Sequence, residues 1–363
     1  MKYQYSLILL TLQLFFDKIS LLEISRITNN ILCYNFDNKK KEDNIMDTNM
    51  QPLEFVMLVG IPACGKSTLS KEYLEKGYTV LSSDQIRIEL AGNEEVFQLE
   101  QRELNELNGK VFEYIRKKAY ECLKAGKSVL IDATNLGRKK RKNFVSHIRR
   151  VKCNKKCIFF ITHKDICFER NQARTGIARV PDYNMNNMLR NFEAPYYWEG
   201  WDEIVPIIDN TPYSFPFEEA KTFNQDNPYH HHTLFDHMDI ARQYAVDNNF
   251  ADYIVKALKY HDVGKLYVKE FKNRRGEETK FAHYYGHENY SAYLYLMEMC
   301  CGKELTDEEF KQILYEANLI NCHMRPLVVW KDTPSAKKND KELFGEQFMS
   351  DLMQFHEADR FAH

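Results

Sequence analysis

From Glu54 onward, short apolar runs alternate with longer stretches in which apolar residues recur at helical spacing. The runs FVMLVG, YTVLSS, SVLIDAT, CIFFIT and EIVPII are brief and rich in β-branched and aromatic residues, without the polar alternation of a half-solvated strand. Such strands are buried on both faces, the condition inside a parallel sheet covered by helices. Between them, 96–124 and 138–149 carry helical spacing and strong helix formers. The pattern therefore predicts βα units and a three-layer α/β domain over 51–210. Then it changes. The stretch DNTPYSFPFEEAKTFNQDNP holds Pro212, Pro216 and Pro228 with no sustained period, and 211–228 reads as a linker. Beyond it no strand run is visible. Residues 229–363 are predicted as an all-α bundle, with breaks at Gly264, Gly276, Gly286 and Gly302 and a helix start at LTDEEF.

The first fifty residues stand apart. SLILLTLQLFF is apolar but shorter than the roughly 20 residues of a spanning helix. It lacks a small-x-small cleavage site, and the residues after it are polar and Asn/Lys-rich. Residues 1–50 are expected to be a leader outside the functional enzyme, with the working start at Met46 or Met50. The full length of 363 residues favours two domains, and 44% hydrophobic content suffices for a core in each. A net charge of -2 excludes a globally polyanion-binding protein, so any basic surface must be local. Nine cysteines without a CxxC pair fit a reduced, cytoplasmic protein. No membrane association is expected.

Gly60-x4-Gly65-Lys66-Ser67 follows one predicted strand and opens one predicted helix, the context of a phosphate-binding loop. Backbone amides freed by the glycines, together with the helix N-terminus, attract phosphate. Gly60, Gly65, Lys66, Ser67 and Thr68 are the expected nucleotide contacts, with Lys66 on the β and γ phosphates and Ser67 on Mg2+. ATP and Mg2+ are the expected cofactors. In LSSDQIR, Asp84 can accept the proton of an attacking hydroxyl and Arg87 can hold an anionic group of the acceptor. Spacing alone leaves open an N-cap aspartate with an exposed arginine.

GxxxxGKS, SSDQIR, IDATN at 131–135 and ERNQAR at 169–174, in that order, resemble the kinase domain of polynucleotide 5'-hydroxyl kinases of the phage and bacterial end-healing type. The resemblance covers 55–208. It implies Asp84 as general base for a 5'-hydroxyl, Arg87 on an acceptor phosphate, Thr134 and Asn135 in the acceptor pocket, and Arg170 and Arg174 as lid arginines spaced i,i+4 on one helical face. One departure is that Ala133 stands where the phage member has an aspartate. The carboxylate here is Asp132, suited to a place near the metal. The acid-free run from Gly137 to Lys156, beside the acceptor motif, is expected to attract a phosphate backbone, the alternative being a solvated helix face. Tyr196, Tyr197 and Trp198 are expected to form a buried aromatic cluster, with base stacking as the alternative.

Further on, His237, the pair His261–Asp262, His287, His323 and Asp359 occur in predicted helices. Imidazoles and carboxylates projecting from several helices into one bundle core build one- or two-metal sites. The series resembles the HD phosphohydrolase superfamily from 229 to 363, with His237, His261, Asp262 and Asp359 as the core ligands, His287 and His323 on a second ion, and Asp262 bridging. The resemblance also implies Lys265 near the phosphate. The donor set suits Mn, Fe, Co, Ni or Zn, and metal-assisted phosphoester hydrolysis is the chemistry it implies.

One site adds phosphate and the other removes it. The substrate needing both is a broken nucleic-acid strand with a 5'-hydroxyl and a 2',3'-cyclic phosphate or 3'-phosphate. The expected function is end healing in RNA or DNA repair, with a separate ligase as partner. The fused end-healing enzymes that the chain resembles carry the HD domain first, and here the order is reversed. The alternative is a nucleoside or other small-molecule kinase fused to an HD nucleotide phosphohydrolase.

Overall fold

The computed structural model describes residues 52–92, 101–228, 232–331 and 333–363. The expected leader lies outside the described residues. Pro52–His363 forms one compact unit.

β1 (Glu54–Val59) is followed by α1 (Lys66–Glu75), β2 (Thr79–Ser82), α2 (Ser83–Ala91), α3 (Gln101–Lys124), β3 (Val129–Asp132), α4 (Arg138–His147), β4 (Asn154–Ile161), α5 (Lys164–Gln172), α6 (Asp182–Arg190) and β5 (Glu203–Ile208). The strands form one sheet in the order β2-β3-β1-β4-β5, and every pair is parallel. Val56 lies opposite Leu130 on one side and Lys156 on the other. All five apolar runs are therefore strands. Phe55 to Val59 are fully buried, which is why β1 shows no alternation. The chain leaves β1 towards one edge of the sheet and later crosses to β4 on its other side. The carboxyl end of β1 thus lies at a topological switch point, where diverging connections leave a crevice for a ligand.

Residues 211–228 are not a free linker. They carry α7 (Phe217–Thr222), Phe215 and Ala220 are buried, and the Phe215 amide donates to the Glu298 carboxylate at 2.6 Å. Tyr213, Phe215, Phe217 and Phe223 supply apolar surface that the proline count obscures.

α8 (Leu234–Asp247), α9 (Asp252–Leu258) and α10 (Lys265–Val268) precede β6 (Glu270–Lys272) and β7 (Glu278–His283). α11 (His287–Cys300), α12 (Asp307–Cys322), a π-helical turn at Arg325–Val329 and α13 (Pro334–Phe361), bent at Gly345, complete the fold. The antiparallel hairpin β6–β7 corrects the all-α expectation. Only Ala282 of its strand residues is buried, so no apolar run announced it, and its tip is held by the Gly276 amide on the Asn273 carbonyl. α12 starts where LTDEEF suggested, with Thr306 and Glu309 closing a capping box.

The helical part docks on the sheet. Tyr293 Oη on α11 donates to the Thr162 carbonyl just past β4 at 2.8 Å, and the Gly302 amide donates to the Asp209 carbonyl at 2.9 Å. Trp198 sits against Tyr196, Phe344 and Phe348, so the expected aromatic cluster forms the seam between sheet and helices. The buried apolar residues make one continuous cluster. No helix among the described residues is long and apolar enough to cross a membrane.

Candidate phosphate-loop and metal sites

At the carboxyl end of β1 the chain turns sharply through Ala63 (φ 65°) and Gly65 (φ 108°) into α1. The left-handed conformation at Gly65 carries a steric cost for any residue with a Cβ. Gly60 is needed for space, since a Cβ there would lie 2.7 Å from Cys64 Sγ and 2.9 Å from Phe160 Cβ. Lys66 is buried and its ammonium donates to the carbonyls of Gly60 (2.9 Å) and Ile61 (2.7 Å), closing the loop on itself. Ser67 and Thr68 are exposed at the start of α1, whose first amides have no acceptor within the helix. This donor set fits a polyphosphate.

The ends of β2 and β3 border the same loop. Asp84, in the first turn of α2, is 75% exposed and bonds Arg87 Nη1 at 2.5 Å. Arg87 is buried and also donates to Asn108 Oδ1 at 3.0 Å. Ser82, not Asp84, caps the helix, so the aspartate is left for another partner. Burial pushes the Asp132 carboxyl up, only partly offset by a hydrogen bond to Ser70 and by Lys66. Asp132 thus stands beside the loop lysine. Lys140 on α4 is pushed down to about 7 by burial and by the Arg87 and Arg116 guanidiniums, against Asp84.

Two of the expected residues, Asn135 and Arg174, are engaged in other contacts. Asn135 (φ 47°) is fully buried and its amide nitrogen donates to the Leu58 carbonyl at 2.8 Å, so it ties β1 to the end of β3 and is not exposed to an acceptor. The Thr134 carbonyl accepts from the Gly60 amide at 3.1 Å. α5 ends at Gln172, so Arg174 is past the helix, donating to the Ala178 carbonyl at 3.4 Å, and does not share a helical face with the exposed Arg170. Asn171 between them is fully buried and brackets Val180 through its amide and carbonyl, a clamp the spacing did not reveal.

The basic run is not a continuous surface. Arg141 is fully buried in a two-pronged pair with Glu199 (2.7 and 2.6 Å), and Arg138 is buried between Glu193 and Cys322. Lys155 pairs with Asp202, and Lys156 pairs with Glu54 and Glu203. Acids distant in sequence neutralise these four charges, while Lys139, Arg149, Arg150 and Lys152 remain exposed.

In the helical part, His237 from α8, His261 and Asp262 from the turn after α9, and Asp359 from α13 place one ligand atom each within 4.8 Å of one another. Asp262, His287 and His323 do the same. Asp262 belongs to both. Its Oδ2 lies 3.2 Å from His237 Nε2 and 3.4 Å from His261 Nε2, while its Oδ1 lies 3.0 Å from His287 Nε2 and 3.6 Å from His323 Nε2. Gly264 permits this approach of the turn to α11, because a Cβ there would lie 2.4 Å from the His287 carbonyl. All six residues are buried.

Each histidine turns Nδ1 to a backbone carbonyl: His237 to Ala362, His261 to Leu258, His287 to Tyr284 and His323 to Ile320, the last three at 2.7 Å. These bonds assign the ring proton to Nδ1 and leave Nε2 lone pairs aimed inward. His261 and His237 Nε2 are 3.3 Å apart, as are those of His287 and His323, and the buried Asp262 Oδ1 has no hydrogen-bond partner among the described residues. Converging lone pairs and an orphaned carboxylate oxygen fit divalent cations. Burial alone would lower the His237 pKa, but hydrogen bonds to Asp262 and Asp359 push it up to about 9. Burial would likewise raise Asp262, yet Lys265, His261 and His287 hold it well below the carboxylate range. Lys265 is buried, its ammonium 2.7 Å from Asp262 Oδ2 and 2.9 Å from Gln225 Oε1. Gln225, in the stretch read as linker, carried no signal of this contact.

Residues 55–195 match the family described as an AAA domain. This part of the chain is a P-loop kinase-like domain. The L-seryl-tRNA(Sec) kinase of Methanococcus maripaludis is 25% identical over 180 residues, covering 47% of this chain and 66% of that protein. Among solved structures, a gluconokinase from Sinorhizobium meliloti is 18% identical at a TM-score of 0.32, covering 44% of this chain and 83% of that one. A shikimate kinase from Bacteroides thetaiotaomicron is 18% identical at a TM-score of 0.29, covering 42% and 86%. A kinase-like domain of this kind implies ATP and Mg2+, to be held by Lys66, Ser67 and the amides at the start of α1.

Proposed function

We propose that the chain is a bifunctional end-healing enzyme of the cytoplasm, with a polynucleotide 5'-hydroxyl kinase in 51–210 and an HD-type phosphohydrolase in 229–363. Asp262, whose two oxygens face two different histidine sets, is the observation that carries the hydrolytic half. On the kinase side, ATP with Mg2+ supplies the phosphoryl group. Lys66 and the α1 amides bind its phosphates, Asp84 takes the proton of the acceptor hydroxyl, and Arg87 with Lys140 holds an acceptor anion. The acceptor is an RNA or DNA end, a reading supported by a relative whose name puts its acceptor on a tRNA.

On the hydrolytic side, one or two divalent ions would be held by the six-residue cluster and, when bound, supply Lewis acidity and an activated water. The chain fixes the imidazoles through their Nδ1 bonds and keeps Asp262 ionised through Lys265. It acts on a 2',3'-cyclic or 3'-phosphate, and a separate ligase would seal the healed ends.

A second reading has its own support. Because Arg138, Arg141, Lys155 and Lys156 are spent on internal pairs, a small hydroxyl compound or nucleoside fits the kinase part, next to an HD nucleotide phosphohydrolase. One oligonucleotide with a 5'-hydroxyl and a 2',3'-cyclic phosphate, incubated with the protein, ATP, Mg2+ and Mn2+, separates the two. Mass gain at the 5' end and an opened or removed cyclic phosphate are expected. Lys66→Ala should abolish only the first and Asp262→Ala only the second, each by more than about a hundredfold. Conversion of free nucleosides with both strand ends untouched would establish the second reading.

A further inference from the structure

The hairpin β6–β7 supplies none of the residues of the metal-binding cluster, yet it overhangs them. Its second strand runs into the alternating sequence His283, Tyr284, Tyr285, in which only the middle ring points inward. Tyr284 is buried, its hydroxyl donating to the Gln225 carbonyl. His283 and Tyr285 take the opposite side together, their rings 9° from parallel with centroids 5.2 Å apart. Arg274, from the hairpin tip, places its guanidinium carbon 5.0 Å from the Tyr285 ring centroid. Arg274 makes no ion pair among the described residues.

This column lines a cavity of about 660 Å³ that also takes in Asp262, His287 and His323. Another part of the lining is apolar. It comes from the π-helical turn after His323, where Leu327 and Val328 are 51% and 49% exposed. π-Helical turns are rare and concentrate at functional sites. Flat aromatic surface, an exposed apolar patch and an unpaired guanidinium around one phosphate-reactive floor describe a ligand with a flat ring and an anionic group. A simple aliphatic phosphate would leave the column and the patch without a partner.

We propose that this cavity is a base-reading subsite: the nucleobase of a phosphorylated nucleotide joins the Arg274–Tyr285–His283 stack while its phosphate lies at the Asp262 floor. The inference rests on the hydrolytic reading of that floor. Mononucleotides and strand ends share this chemistry.

The test compares a nucleoside 2',3'-cyclic phosphate, a short oligonucleotide ending in the same group, and an abasic ribose cyclic phosphate. Each is followed by equilibrium binding and by hydrolysis with the full-length, Mn2+-loaded protein. The base-bearing ligands should bind about tenfold more tightly than the abasic one, the scale of one base stacking on an aromatic side chain. Tyr285→Ala should narrow that gap, and Tyr285→Phe, which keeps the ring, should restore it. Tighter binding of the oligonucleotide than of the mononucleotide identifies the strand end as the source, and equal binding the mononucleotide. Equal binding of abasic and base-bearing ligands by the unmodified protein, or a gap unchanged in Tyr285→Ala, overturns the proposal. Base-dependent binding without hydrolysis would sink the hydrolytic reading and leave the subsite standing.

Discussion

Lys140 shows how one side chain reports on a site. Its ammonium lies 3.1 Å from the Phe112 ring centroid, near Arg87, Arg116 and Asp84. With its pKa depressed from 10.5 to about 7, it penalises the folded state. The penalty is complete below about 7 and shrinks as pH rises towards 10.5. Below about 7 Lys140 adds its positive charge to that of Arg87 at the proposed acceptor site, and above it that charge is lost. The KM for a 5'-hydroxyl oligonucleotide should therefore rise as pH goes from about 6 to 8, several-fold at most for a partly exposed charge. Lys140→Arg, which stays charged, should flatten that rise. A variant as steep as the unmodified protein would remove Lys140 from the acceptor site.

Among elements, the turn carrying Asp262 and the start of α11 are coupled through Gly264, which has ordinary helical dihedrals and no room for a side chain. Its amide also donates to Ser291 Oγ at 2.8 Å. Gly264→Ala should push α11 away from Asp262, costing about 1–3 kcal/mol by overpacking. The His287–His323 side of the cluster should lose metal before the His237–His261 side does. Metal content by mass spectrometry, with the hydrolysis rate beside it, checks this. Full stoichiometry at an unchanged rate would mean the backbone absorbs the methyl group. The same scale explains the fate of the aromatic segment after α6: Tyr196 and Trp198 were legible as aromatics, but only their meeting with Tyr315, Phe344 and Phe348 makes them a seam.

At the scale of the whole molecule, the sheet and the helices carrying the His/Asp cluster share one core. Asn321, two residues before His323, accepts from the Ala194 amide and donates to the Phe192 carbonyl, both at 2.9 Å. Arg138 of α4 reaches Cys322 Sγ at 3.6 Å. The helix that leads into His323 is thus bolted to the kinase-like part. Heating should abolish both activities over the same range, and chelation should lower that range for both. A ligand that binds only the native state stabilises it by about 4 kcal/mol at a thousandfold excess over its Kd. Kinase activity outlasting hydrolysis well above the hydrolytic midpoint would show two independently folding parts.

What the chain determined by itself is what consecutive residues encode. Five strands, the loop between β1 and α1, and the order of six metal-type ligands are short-range or ordinal features, legible without knowing any long-range contact, whereas the expected burial on both faces fails at the sheet edge, where β5 buries only Ile204. Tertiary structure decided whatever depends on distant partners. Arg141 meets Glu199 across 58 residues and Arg138 meets Cys322 across 184, which turned these two arginines of the basic run inward. Asn135 closed a strand end, the proline-rich stretch became packing surface, and a hairpin with one buried strand residue came to roof the cluster. The split of Asp262 between two histidine sets belongs here as well. A carboxylate's two oxygens are identical in sequence, and only the packing of α8, α11, α12 and α13 around it makes them different.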